Sequence, residues 1–261
     1  MNKPVAKVYI SACSRRNPEW DMFTSLNAAI QFAALNGKIF SAIMPRVGGT
    51  LICRERQRAF REFLKSDFDY LLTLDDDVAL PQDSIIKLVH ANRDIIGGNY
   101  RLKDYKAGRI ANRLKRPSLW SMILKSGIVS EAIYVSSGCM LISRRAAEQI
   151  RDAYDESLWY TENISNERTW AVYQPFIHTY SNGVREYLSE DWAFCLRASN
   201  IGIKLYVHGG VKCGHWGLHK FDFYYPKNFI DKVSENYDQS RNYGMIEKDE
   251  IDQEVIEEQT I

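Results

Sequence analysis

Three consecutive aspartates, Asp75, Asp76 and Asp77, end the apolar run YLLTL, with Pro81 just beyond them. Carboxylates this close repel one another unless a cation lies between them or one is protonated. In extended chain alternate side chains share a face, so Asp75 and Asp77 would point one way and Asp76 the other. Mg2+ and Mn2+ prefer hard oxygen ligands, and Mg2+ commonly takes one or two carboxylates plus the phosphates of a substrate. The triplet reads equally as a solvated acidic turn capping the helix after Pro81. A second acidic pair, Glu190–Asp191 in LSEDWAF, falls in the first turn of a predicted helix. There it favours the helix dipole, and a carboxylate at the lip of a site can also serve as a general base. His215 in VKCGHWG follows a predicted strand. It reads as a ligand or as a satisfied structural histidine, and His208 competes for the same role.

Elements must bring these groups together. VAKVYISA (5–12) is β-branched-rich and predicts an opening strand. Residues 22–36 predict a helix stopped by Gly37, and 38–44 a second strand. Residues 50–65 predict an amphipathic helix with Leu51, Phe60, Phe63 and Leu64 on its apolar side. Strand 69–74, helix 82–92 and strand 94–100 follow. Alternation of strand and helix with short links predicts an α/β fold with a largely parallel sheet. In such sheets ligands bind beyond the carboxyl ends of the strands, where Asp75–Asp77 lie. Residues 101–117 hold seven Lys/Arg and one Asp and predict a loop. AIYVSSGCMLIS (132–143) is strand material broken by Gly138, followed by a helix. Residues 155–185 predict an irregular insertion or hairpin. Residues 188–200 form a helix with Ser189 as N-cap, then comes a late strand.

The 261 residues, 45% of them hydrophobic, suffice for one large domain with a sizeable core. We expect a main domain over 1–230, in two parts of about 1–100 and 101–230, and an acidic tail over 231–261. No apolar run approaches the ~20 residues of a membrane span, and no signal peptide is evident. The expectation is a cytoplasmic protein. Cys13, Cys53, Cys139, Cys195 and Cys213 show no metal-type pairing and read as reduced, buried thiols. Residues 1–116 hold 20 Lys/Arg against 12 Asp/Glu, and the remainder reverses the balance. Such asymmetry suits an anion-binding face in the first half.

Taken in order, VYISA, ICRERQRAF, FDYLLTLDDDVALP, DIIGGNY, SSGCMLISRRA, LSEDWAF and CGHWG resemble a GT-A glycosyltransferase of the broad family-two group. The resemblance spans roughly residues 5–217 and implies a nucleotide-binding part over about 1–100 and an acceptor-side part over about 101–230. It implies a GT-A, Rossmann-like sheet, a nucleotide-sugar donor (a UDP-sugar by default) and Mn2+ or Mg2+. It also implies roles. Asp75 and Asp77 match the ends of the DxD motif, with His215 completing the metal site. Asp191 matches the base of inverting members, with Glu190 its catalytic neighbour. Ser11 and Ala12 match the end of the first strand, which holds base and ribose. Arg54 matches the arginine of the preceding helix, and Gly138 the small residue of the sugar pocket. Asp76 and Arg101 complete the donor-binding set, and Lys103 is a further cation. Asp76 is nevertheless expected to face away, so that Asp76→Asn costs far less than Asp77→Asn.

The acceptor stays open. The basic segment 101–116 reads as a solvated loop, a lid over the diphosphate, or a contact for an anionic acceptor. A glycan, a lipid-linked sugar and a modified base in DNA all fit that chemistry. A non-catalytic sugar-nucleotide or glycan-binding module and a metal-dependent phosphohydrolase or nucleotidyltransferase are the competing readings.

Overall fold

The structure, a computed structural model, describes residues 5–14, 18–47, 51–103, 109–217 and 220–222. The acidic tail and residues 104–108 of the basic segment lie outside the described residues. The first half runs β1 (Ala6–Ser14), α1 (Trp20–Gly37), β2 (Ile39–Val47), α2 (Ile52–Lys65), β3 (Tyr70–Asp75), β4 (Val78–Ala79), α3 (Ser84–His90) and β5 (Ile95–Asn99). Next come β6 (Arg113–Leu114), α4 (Trp120–Ser126), β7 (Val129–Tyr134), β8 (Cys139–Ser143), α5 (Arg144–Ala153) and α6 (Asp155–Leu158). The chain continues through β9 (Trp159–Glu162), β10 (Glu167–Trp170), β11 (Phe176–Thr179), β12 (Arg185–Leu188) and α7 (Glu190–Asn200). It closes with β13 (Leu205–Lys212), β14 (Gly214–Trp216) and β15 (Lys220–Phe221).

Eight strands form the central sheet in the order β2-β1-β3-β8-β5-β13-β7-β6. β2, β1 and β3 are mutually parallel, as are β5 and β13, while β8 and β7 run against their neighbours. Six of the eight strands therefore point one way, as expected of a largely parallel sheet. Reading 132–143 as one interrupted strand is corrected. Its halves are β7 and β8, which lie at different places in the sheet. Helix α4 is a second element the sequence reading lacked, its Trp120, Ile123 and Leu124 fully buried.

Both faces of the sheet are covered, so the central strands are apolar on both sides. On β1, Tyr9 packs with Phe60 and Phe63 of α2 and Ala146 of α5, whereas Val8 and Ile10 pack with Leu26 and Ala29 of α1. Helix α2 ends where Arg144 arrives. Its guanidinium donates to the carbonyls of Phe63 (2.9 Å), Ser66 (3.0 Å) and Phe68 (2.6 Å) and lies over the Phe63 ring. A cation there satisfies carbonyls that the helix leaves unpaired and favours the dipole. The other side of α2 grips the β9–β10 hairpin through Arg58–Glu162 and through Arg61 to Thr169. The region 155–185, expected to be irregular or a hairpin, thus contains the whole of one hairpin, and β11 pairs with β12 in a second. The cysteines are free, four of them buried and Cys53 partly so.

Candidate functional site

β1, β3 and β5 run in one direction and end along a common edge, and β8 starts there from the opposite direction. Asp75 is the last residue of β3. Asp76 and Asp77 form a turn, and β4 begins at Val78. Strand alternation therefore does not extend across the triplet, which corrects the expectation built on it. Asp75 Oδ1 accepts from Arg56 at 2.7 Å. Asp76 Oδ2 accepts from Ser14 at 2.6 Å. Asp77 pairs through Oδ2 with Lys103, and its Oδ1 lies 3.5 Å from His215 Nε2. All three aspartates border one cleft of about 370 Å³, together with Cys13, Arg56 and Glu190.

His215 reaches Asp77 because β14 pairs with β4, setting His215 opposite Val78. Trp216 N donates to the Asp77 carbonyl at 2.8 Å. His215 Nδ1 lies 2.6 Å from the Arg101 carbonyl. A carbonyl only accepts, so Nδ1 carries the proton, and in the neutral ring the Nε2 lone pair faces Asp77. A backbone partner on the far nitrogen is the arrangement that orients metal-binding histidines. Burial alone would raise the Asp77 carboxyl, but the His215 ring, which donates from Nε2 when protonated, and the Lys103 ammonium together outweigh it and hold it below the usual range. Asp76 is raised instead, chiefly by partial burial, with Asp77 and Asp75 adding repulsion. Among the described residues no group of three or more His, Cys, Asp or Glu is placed to hold a metal ion. The carboxylate and imidazole of Asp77 and His215 fit a divalent cation that takes its remaining ligands from substrate phosphate and water.

Glu190 and Asp191 open α7 after Ser189, yet they face different clefts. Glu190 pairs with Arg56 on the aspartate side. Asp191 borders a second cleft of about 830 Å³, which also meets Asp75 and His215. Its Oδ2 accepts from Ser136 Oγ at 3.0 Å, and its Oδ1 accepts from the Trp192 amide at 2.9 Å and from the Ser189 hydroxyl. Ser189 occupies the N-cap position but spends its hydroxyl on Asp191 instead of a backbone amide. Ser136 also bonds the Tyr100 hydroxyl. Burial, reinforced by the Asp75 carboxylate, pushes the Tyr100 phenol well up, so it stays a neutral donor. Asp75 is the carboxylate common to both clefts.

Several positions differ from the sequence expectation. The arginine that reaches Asp75 is Arg56, not Arg54, which is outside the lining of both clefts. Arg56 is 3% exposed and bridges Asp75 and Glu190. Burial opposes its charge, but the Asp75, Glu190 and Asp191 carboxylates outweigh that and fix it as a cation. One signal in the sequence could have found it. Arg56 stands at i, i+4, i+7 with Phe60 and Phe63, and a charge on an apolar stripe needs a buried partner. Ser11 and Ala12 are buried within β1, which extends two residues further, so Cys13 and Ser14 line the cleft. The Arg101 side chain is buried and donates to the Asp222 carbonyl, whereas Lys103 is the cation at Asp77. Gly138 lies beneath Asp75 and Tyr100. A Cβ there would fall 2.3 Å from the Tyr100 hydroxyl and 2.9 Å from Asp75 Oδ2, so no larger residue fits without moving them. His208 lies apart, with its Nδ1 accepting from the Gly210 amide. Ser136 carries no signal in sequence.

No family model and no curated protein matches the sequence. Among solved structures, the chain is similar to GalNAc-T7 crystallised with UDP, GalNAc and Mn2+, at 13% identity and a TM-score of 0.45. That match covers 94% of this chain and 53% of the other, so the chain spans about half the length of that protein. It is also similar to a glycosyltransferase involved in glycosylation of the major capsid of PBCV-1, at 14% identity and a TM-score of 0.28. This second match covers 76% of this chain and 92% of the other.

Proposed function

We propose that this chain is a metal-dependent GT-A glycosyltransferase, moving a sugar from a nucleotide-sugar to an acceptor hydroxyl with inversion. A UDP-sugar is the default donor. The observation that carries the reading is the meeting of two clefts at Asp75. One is lined by the aspartate triplet, Arg56 and Glu190; the other has Asp191 at its edge. The ordered motifs of the sequence agree with it. Asp77 and His215 would hold Mn2+ or Mg2+. When bound, the metal supplies positive charge to a leaving diphosphate. Arg56 and Lys103 add fixed and mobile positive charge beside the same group.

Asp191 takes the proton of the acceptor hydroxyl. The acceptor oxygen then bonds to the anomeric carbon, and the carbon–oxygen bond to the diphosphate breaks, its electron pair leaving with the nucleoside diphosphate. The donors on Asp191 suit this role. Ser189 and the Trp192 amide fix Oδ1, while Ser136 orients Oδ2. Such positioned acid–base catalysis contributes about 10²–10⁴-fold.

The test measures nucleotide release from UDP-sugars with Mn2+ and an acceptor panel, beside donor affinity. Asp191→Asn is expected to bind donor as wild type does and to lose turnover by at least about 100-fold. Unchanged turnover would remove Asp191 as base. Donor binding without turnover in wild type, toward every acceptor, would leave a binding module. Release of inorganic phosphate would mark a phosphohydrolase.

A further inference from the structure

The 830 Å³ cleft beyond Asp191 is walled by the β11–β12 hairpin and by the chain around β6. Arg109, Arg113 and Arg185 line it, alongside Tyr187 and Trp192. Its carboxylates are already engaged. Glu186 accepts from the Tyr180 hydroxyl at 2.5 Å, and Asp191 accepts from Ser136, Ser189 and the Trp192 amide. Two of the guanidinium groups, those of Arg113 and Arg185, are less so. Neither Arg113 nor Arg185 pairs with a carboxylate among the described residues. Arg113 lies 5.9 Å from the centre of the Tyr134 ring, and its Nε is out of solvent with no acceptor. A buried donor without an acceptor costs free energy that a ligand oxygen would restore.

We propose that this cleft takes an anionic saccharide, one carrying a carboxylate or a phosphate, as the acceptor. Arg113 and Arg185 hold the anion, and Tyr187 and Trp192 offer apolar surface to the sugar ring. This rests on the glycosyltransferase reading for the word acceptor, but not for binding. Arginine suits both anions because its planar fork donates two parallel hydrogen bonds to either. Tyr187 is 68% exposed, and Trp192 stacks on Tyr134 at 4.4 Å, which leaves an aromatic rim beside the arginines. Cations gathered in a pocket with aromatic neighbours favour one anionic sugar over duplex DNA, whose phosphates are met along an extended face.

Binding is measured by NMR titration with no donor present. The probes are a methyl glucoside, the matching glucuronide, a glucose phosphate and a DNA duplex. At least one anionic sugar is expected to bind about tenfold more tightly than the glucoside, with the preference shrinking as salt rises. Whether the glucuronide or the phosphate leads identifies the source of the anion. Arg185→Gln, at an exposed position, should lower the preference, and Arg113→Gln/Arg185→Gln should bring it to within about twofold of neutral. The melting temperature of each variant confirms that it is folded. Equal binding of neutral and anionic sugars, a preference that survives the double variant, or tighter binding of the duplex than of any sugar would each overturn the proposal. UDP affinity with Mn2+, measured on the same samples, reports on the donor cleft separately. Loss of UDP binding with the saccharide preference intact would count against the enzyme reading alone.

Discussion

Asp75, Asp76 and Asp77 are neighbours in sequence with three different partners: Arg56, Ser14, and the pair Lys103 and His215. This division, not strand alternation, now supports unequal effects of substitution. Asp77→Asn should abolish measurable Mn2+-dependent UDP binding, while Asp76→Asn should change it less than about threefold, because its partner is one neutral hydroxyl. Equal losses in a calorimetric titration would reject the assignment. Lys103 makes a second prediction. Its ammonium rests on the carboxylate that would hold the metal, so the two cations compete. Lys103→Met should tighten Mn2+ binding to the protein alone by about fivefold, the worth of a partly exposed ion pair of ~1 kcal/mol. Electron paramagnetic resonance of free Mn2+ would read this directly, and unchanged affinity would mean that the lysine does not compete.

At the scale of elements, α2 is the part on which the site depends. One side of it packs Phe60 and Phe63 into the core and sends Arg56 to Asp75 and Glu190. Its other side holds the β9–β10 hairpin through the Arg58–Glu162 pair. Glu162 is 1% exposed and also accepts from the amides of Ile164 (3.1 Å) and Ser165 (2.9 Å). The hydrogen bond from Arg58 leads these contacts in pulling its carboxyl from the ordinary 4.5 down to about 2. A depressed carboxyl contributes stability that is fully present above its unfolded value and is lost as pH falls through the folded one. The advantage of wild type over Glu162→Gln should therefore be complete above about pH 5 and fade as pH falls toward 2. Arg58→Ala removes the cation and leaves the carboxylate to the Ile164 and Ser165 donors, and should cost about 1.5–3 kcal/mol in urea unfolding. A pH-independent gap between wild type and Glu162→Gln would show that the pair is not what holds the hairpin.

For the molecule as a whole, both clefts are bordered by Asp75, and a ligand filling either should stabilise the fold. A donor at 100 times its dissociation constant adds about 2.7 kcal/mol. For a chain of this size that raises the melting temperature by roughly 5–10 °C. The shift should need Mn2+ and vanish in Asp77→Asn. An equal shift without metal would mean that the nucleotide is held by protein groups alone. No helix among the described residues is long and apolar enough to cross a membrane.

The α/β class, the alternation of strand and helix from β1 to β3, and the presence of Asp75 and Asp77 at the end of a strand, Asp191 at the start of a helix and His215 beyond a late strand were legible in sequence. Hydrophobic period and turn chemistry are local properties, and the chemistry of a carboxylate or imidazole is fixed by residue type. What came only from the tertiary structure is pairing. β8 inserts between β3 and β5, and β14 joins β4, and no local signal encodes either choice. These pairings carry Gly138 under Asp75 and set His215 opposite Val78, beside Asp77. The start of α7 divides Glu190 from Asp191, giving adjacent carboxylates to different clefts. Arg56 stands between these cases. Its place on an apolar stripe announced a buried charge, but only the packing of α2 against β3 and α7 identified the two carboxylates that hold it.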